Sequence, residues 1–260
     1  METRLMEKDA VLLVFAKAPT PGTVKTRLAG EASVLSEKES AQLYAAFLKD
    51  ALAQYVALAE TVAYPLAIQL HWSGAVAEAE PFVAHARTAM REQGCSSSTI
   101  NVIEQEGDGL GTRMANAFQQ ALRSYKRAFI IGTDHPTLPD AFIEEAFHVL
   151  SEAPMLCIGP STDGGYYGLG MNRWTPDVFA DMTYSHSHVF TDTLHRARRT
   201  NRDLSVLPEF YDVDTPSALR RMLQDISDPR SGAPETRSGA PETCATVRDL
   251  NLYARLEVSP

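Results

Sequence analysis

Alternation is the feature that most constrains the fold: short, continuous apolar runs rich in strand formers recur between longer stretches with helical spacing. Val11-Leu-Leu-Val-Phe15 is the first such run, Pro65 to Trp72 and Thr99 to Glu104 follow, and Ala128-Phe-Ile-Ile131 is the next. Runs without a polar face are what strands show when helices cover both sides of a mostly parallel sheet. The intervening stretches supply those helices. Ser36 and Glu39 form a capping box ahead of Leu43, Phe47, Leu48, Ala51, Leu52 and Tyr55, which recur at helical spacing. Ala75 to Gln93 reads as helix despite Pro81, and Met114, Ala117, Phe118, Ala121, Leu122 and Tyr125 line one helical face. Pro139 starts a further helix that runs to about Ser151. The expected class is therefore α/β, with a mostly parallel central sheet flanked by helices on both faces.

The second half changes character. Met155 to Gly159 and Tyr166 to Met171 are short strand-like runs joined by Pro160-Ser-Thr-Asp-Gly-Gly165, which predicts a β-hairpin. Ser187 to Arg199 reads as helix, Leu204 to Tyr211 as extended, and Pro216 sits where the first turn of a helix tolerates it. One domain is expected over residues 1–226. From Arg230 the heptapeptide Arg-Ser-Gly-Ala-Pro-Glu-Thr occurs twice in succession, and its composition cannot supply a core. Residues 227–243 thus read as a flexible linker, and 244–260 as a tail in which Val247 to Leu256 forms a short helix that docks back.

Charge and cysteine content exclude several classes. The net charge of -9 would repel a polyanion, so nucleic acid is not an expected partner. Cys95, Cys157 and Cys244 are odd in number and widely spaced, which predicts buried, reduced thiols rather than disulfides or structural zinc. The apolar run from Val11 to Ala16 is too short to span a bilayer, and Glu7, Lys8 and Asp9 precede it where a signal peptide would be basic. A cytoplasmic protein without an integral membrane segment is the expectation.

Against this acidic background, Ala10 to Gly30 contains Lys17, Lys25 and Arg27 and no acid. Open α/β sheets bind ligands outside the carboxyl ends of their strands, and Gly22 lets backbone amides approach an anion, so a phosphate site is one reading. A solvated basic loop is the other. Neither the P-loop pattern nor the dinucleotide pattern is present. Asp134, in Ile131-Gly-Thr-Asp-His-Pro136, follows a strand at that same end and suits Mg²⁺ or Mn²⁺ beside a diphosphate, although an Asp in this place can equally cap a helix. In Tyr211-Asp-Val-Asp-Thr-Pro216, Asp212 and Asp214 project to one side if extended, or Asp214 or Thr215 caps the following helix. Asp163, Gly164 and Gly165 beside Tyr166 and Tyr167 suit contact with a sugar or base, or simply turn a hairpin. His135 reads as a loop residue, and His186 and His188 as surface histidines without a third ligand.

Phe15-Ala-Lys-Ala-Pro-Thr-Pro-Gly-Thr-Val-Lys-Thr-Arg-Leu28, Gly107-Asp-Gly-Leu-Gly-Thr-Arg-Met114, Gly132-Thr-Asp-His-Pro136, Gly159-Pro-Ser-Thr-Asp-Gly-Gly-Tyr-Tyr167 and Asp212-Val-Asp-Thr-Pro216 occur in this order. Together they resemble a bacterial family of glycosyltransferase-like proteins of unassigned substrate with the nucleotide-diphospho-sugar transferase (GT-A) fold. The resemblance implies that Lys17, Lys25 and Arg27 bind the nucleotide phosphates, that Asp134 and Asp214 hold the metal, and that Arg113 lies near the same cleft. Two segments depart from the family's pattern: His135 stands in place of a small residue or cysteine, and Tyr184-Ser-His-Ser-His188 replaces a tryptophan-containing stretch.

The expected activity is transfer of a glycosyl group from a nucleotide-sugar donor to a small-molecule acceptor, with Lys25 and Arg27 stabilising the leaving diphosphate and Asp163 orienting or deprotonating the acceptor. Nucleotidyl transfer with release of pyrophosphate is the alternative, because Asp134 stands alone rather than in an Asp-x-Asp pair. A nucleotide-binding module without turnover is the third reading.

Overall fold

The computed structural model describes residues 8–29, 33–92, 100–152, 155–227 and 240–258. Strand β1 (Lys8–Lys17) lies between β2 (Leu66–Ser73) and β4 (Tyr125–Ile131), and β3 (Ile100–Glu104) flanks β2, all four parallel. The sheet continues through β6 (Tyr166–Met171), β5 (Met155–Pro160) and β7 (Asp203–Val206), in the order β3-β2-β1-β4-β6-β5-β7. Only β6 runs against its neighbours, pairing antiparallel with both β4 and β5, so the predicted hairpin is present inside a mostly parallel sheet.

Both faces of the sheet are covered. Alternate β1 residues Ala10, Leu12, Val14 and Ala16 pack against α1 (Glu37–Thr61), α2 (Glu80–Glu92) and α4 (Asp140–Val149). Val11 and Leu13 face the other way, toward α3 (Leu110–Ala121) and α5 (Val189–Ala197). A third cluster joins Leu43 and Phe47 of α1 to α6 (Pro216–Ser227), α7 (Pro241–Asp249) and α8 (Leu252–Arg255). The capping box forms as read: Ser36 Oγ accepts from the Glu39 amide at 3.3 Å and the Glu39 carboxylate accepts from the Ser36 amide at 2.7 Å.

Several elements differ from the sequence reading. Tyr125 does not extend α3 but opens β4, because the chain turns after Ala121 and a buried strand begins at once. Ala75 to Gln93 is not one helix: a 3-10 turn, Val76–Ala79, precedes α2, and Pro81 falls in the first turn of α2, where a missing N–H costs nothing. Beyond Val206 the stretch is no longer a regular strand, although Leu207 donates to the Ile158 carbonyl at 2.9 Å and Phe210 bridges back to Ser161. Cys157 is buried and free, whereas Cys244 is half-exposed and Cys95 lies outside the described residues.

The linker boundary also moves. Residues 228–239, which hold most of the duplicated heptapeptide, lie outside the described residues, but Ala240 is buried and Pro241 opens α7. Asp50 of α1 accepts from the Glu242 and Thr243 amides at 3.1 and 2.7 Å, and Lys49 pairs with Glu242 at 2.8 Å. A carboxylate from another helix thus serves the orphan amides at the start of α7, so residues 240–243 are ordered rather than linker. Burial pushes the Asp50 carboxyl up to about 6, against the pull of those amides. The predicted docking helix is two helices, with Asn251 in the left-handed region (φ 51°) between them. No helix among the described residues is long and apolar enough to cross a membrane.

Candidate active site

The parallel strands end on one edge, and three loops leaving that edge converge. After β1 the chain turns through Pro21 and Gly22 (φ 79°) to Lys25, which itself adopts left-handed backbone (φ 51°). That unusual geometry for a non-glycine directs Lys25 inward, where its side chain is 1% exposed, with Nζ 5.8 and 5.3 Å from the ring centres of Tyr44 and Phe47. Nζ lies 2.6 Å from Asp134 Oδ1, after β4, and 2.8 Å from Asp214 Oδ1, before α6. Arg27 binds the other Asp214 oxygen at 2.6 Å from an exposed position. Burial alone would lower the Lys25 pKa, but the two carboxylates outweigh it and hold the ammonium charged. Burial likewise works against the Asp214 carboxylate, and Lys25 with Arg27 reverses that and holds it below the usual range.

Tyr44 supports this cluster from α1. Its hydroxyl accepts from the Lys17 amide at 3.1 Å and lies 3.2 Å from Thr133 Oγ1, tying the ends of β1 and β4 together. Burial pushes the Tyr44 phenol up to about 12, so it stays neutral. Lys17 itself is exposed, and among the described residues its ammonium pairs with no carboxylate.

These loops line a cleft of about 900 Å³ that includes Lys17, Lys25, Arg27, Asp134, Asp163, Gly165 and Asp214. Three expected residues are not on its wall. Arg113 turns away, donating to the Gly107 carbonyl at 3.0 Å and Ser73 Oγ at 3.2 Å. Gly22 faces the Glu37 carboxylate, 3.3 Å from where a Cβ would lie. Gly164 (φ 89°) lies in the hairpin turn, with its backbone so close to the Ser187 carbonyl that a Cβ there would collide with that oxygen. Asp163 does line the cleft, but one of its oxygens accepts from the Gly165 amide at 2.9 Å and so also fixes the turn.

Thr215, not Asp214, serves the start of α6, since its hydroxyl accepts from the Ala218 amide at 3.2 Å. Asp212 and Asp214 take different partners. Asp212 accepts from Ser161 Oγ at 2.8 Å and lies 3.6 Å from Nδ1 of His135, too far for a hydrogen bond. His135 is a loop residue, as read, but its side chain is buried beside Asp212 and Tyr167. His186 is held within its own loop, accepting the His188 amide on Nδ1 at 3.1 Å.

The donor set is compatible with a hard divalent cation. Asp134 and Asp214 each hold one oxygen against Lys25 Nζ, at 2.6 and 2.8 Å, and Arg27 takes the second Asp214 oxygen, so an ion bound by both acids would share them with these cations, while Asp134 keeps 43% of its side chain exposed. Among the described residues no cluster of three or more metal-ligating side chains exists, so the remaining positions would fall to phosphate oxygens and water.

A mostly parallel sheet with one reversed strand, bearing basic and acidic loops on its carboxyl edge, is a GT-A-like nucleotide-transferase fold. Residues 72–186 match the family described as "Uncharacterized protein conserved in bacteria (DUF2064)", which bears out the resemblance carried by the motifs. A structure from Desulfovibrio desulfuricans G20, provisionally assigned as a nucleotide-diphospho-sugar transferase, is 29% identical with a TM-score of 0.72, covering 94% of this chain and 98% of that one. 4-Diphosphocytidyl-2C-methyl-D-erythritol synthase from Anaerococcus prevotii DSM 20548 shares the fold at 8% identity and a TM-score of 0.50, covering 84% of this chain and 97% of that one. No curated protein sequence matches the chain.

Proposed function

We propose that this protein is a metal-dependent transferase that uses a nucleotide-activated substrate, with a nucleoside-diphosphate sugar as donor and a small hydroxyl-bearing molecule as acceptor. The observation that carries this reading is the meeting of Lys25, Asp134 and Asp214 within 2.8 Å of one nitrogen, at the mouth of a nucleotide-sized cleft. Lys17 and Arg27 flank that point as exposed cations able to reach phosphate oxygens. Asp134 and Asp214 would hold Mg²⁺ or Mn²⁺, which would supply neutralising charge to a departing diphosphate. Lys25 and Arg27 stabilise the same developing charge from fixed positions, and Lys25 is held charged by its own carboxylate partners. Asp163 lines the cleft with one oxygen committed to the turn, leaving the other to orient an acceptor hydroxyl.

Incubation with a panel of sugar nucleotides, Mn²⁺ and hydroxyl acceptors tests the reading: release of nucleoside diphosphate that requires both metal and acceptor is expected. Metal-dependent nucleotide binding without turnover of any donor would make the protein a binding module instead. Nucleotidyl transfer is the second reading, favoured by one observation. Lys17 ends β1, and Lys25 and Arg27 follow in the connection that leaves it, a density of positive charge that suits a triphosphate. Pyrophosphate among the products distinguishes it.

A further inference from the structure

Gln105 follows β3 and reaches across the top of the sheet. Its main-chain amide donates to the Trp72 carbonyl at 2.9 Å, and its side-chain Nε2 donates to the carbonyls of His71 at 2.7 Å and Ala16 at 3.1 Å. Only the NH₂ end of an amide can serve two carbonyls, so the side chain has one orientation. Its Oε1 carries no hydrogen bond among the described residues, yet Gln105 lines the same cleft as Lys17 and Lys25. Phe15, Met114 and Leu110 line the same cleft; Met114 is nearly buried, whereas Leu110 is 46% exposed, one of few large apolar side chains left uncovered among the described residues.

The strand order fixes where this patch lies. Gln105 spans the ends of β2 and β1, whereas Asp134 leaves β4 on the opposite side of β1. Neighbouring strands are about 4.8 Å apart, so the two positions are separated by roughly 10 Å along the carboxyl edge. A nucleotide covers such a span from base to phosphates. We infer that Gln105 reads the base: Phe15, Leu110 and Met114 hold its flat faces while the fixed Oε1 accepts from an N–H on its edge. This inference rests on the nucleotide reading above and adds to it that the substrate's base is selected through a donor group.

Calorimetric titration of the full chain with ATP, GTP, CTP, UTP and inorganic pyrophosphate, each with Mn²⁺, tests it. The wild-type protein is expected to bind one triphosphate about tenfold more tightly than the others, and Gln105→Met to level that preference while pyrophosphate binds unchanged. Because Gln105→Met also strands two main-chain carbonyls, a second arm uses the unaltered protein: the preferred triphosphate with its base N–H groups methylated should bind about tenfold more weakly than its parent. Equal affinity for all four bases, a variant that keeps the wild-type ranking, or no discrimination against the methylated base would overturn the role of Gln105 and leave the phosphate site standing. A wild-type protein that binds neither pyrophosphate nor any triphosphate would overturn the nucleotide reading, and this inference with it.

Discussion

The amide of Val213 donates to the carbonyl oxygen of Asp134 at 2.8 Å, so the two acid-bearing loops are joined through their backbones and not only through the shared lysine. The carboxylates can therefore be altered without separating the loops. Asp134→Asn is expected to change folding stability by about 1 kcal/mol or less, since its side chain is partly exposed. The same variant should lose the rise in melting temperature that nucleotide plus Mn²⁺ gives the wild type. An undiminished ligand-induced shift would remove Asp134 from the proposed metal site.

Lys25 and Arg27 should separate when stability and binding are measured side by side. Lys25→Met leaves two carboxylates facing each other without their buried counter-ion, and a loss of about 1 to 3 kcal/mol in denaturant unfolding is expected after discounting for the exposure of the acids. Arg27→Ala, at an exposed position, should cost less than about 0.5 kcal/mol of stability but weaken diphosphate binding by about 1.5 to 3 kcal/mol. Unchanged diphosphate affinity in Arg27→Ala would place the phosphates elsewhere.

Gly164 combines positive φ with contact against the Ser187 carbonyl, so a methyl group there has no room. Gly164→Ala is expected to destabilise the protein by at least about 2 kcal/mol and to displace the segment from Tyr184 to Ser187 that walls the cleft. Thermal unfolding checks the first part, and an unchanged midpoint would show that the hairpin turn yields freely.

Asp50 contributes a pH dependence whose sign follows from its raised folded-state value of about 6. Between that value and the unfolded one near 3.9, the native state binds more protons, so this residue's contribution favours folding more strongly as pH falls from 7 toward 4. Asp50→Asn should remove that component, so the difference between variant and wild-type stability curves should vary with pH in this window. Parallel curves would show that Asp50 does not titrate there.

Local signals carried most of the fold. The capping box at Ser36 and Glu39 and the apolar runs of β1 and β4 depend on neighbours in sequence, and each is where the pattern puts it. Tyr125 misled because its spacing continues the face of α3 through a turn into β4. The start of α7 was illegible for another reason, since the acid that serves its amides lies far away on α1. In the cleft, Lys25, Arg27, Asp134 and Asp214 could be found from the reversal of charge and from strand ends. Arg113 could not be excluded, because its reach toward Gly107 and Ser73 depends on how α3 meets β2. The burial of His135 and the amide orientation of Gln105 follow from contacts that only the assembled sheet creates.

The helices at the end of the chain back directly onto the machinery at its front. Val247, Leu252 and Leu256 share a core with Leu28, Phe47 and Val213, and Arg255 reaches both Glu39 and the Val34 carbonyl. A shortened version cut at residue 227, where composition suggests a natural stopping point, would strip the rear wall from the loops that carry Arg27 and Asp214. Anyone trimming this chain for expression or crystallisation should therefore keep residues 240–258, or risk measuring a crippled enzyme and blaming the substrate.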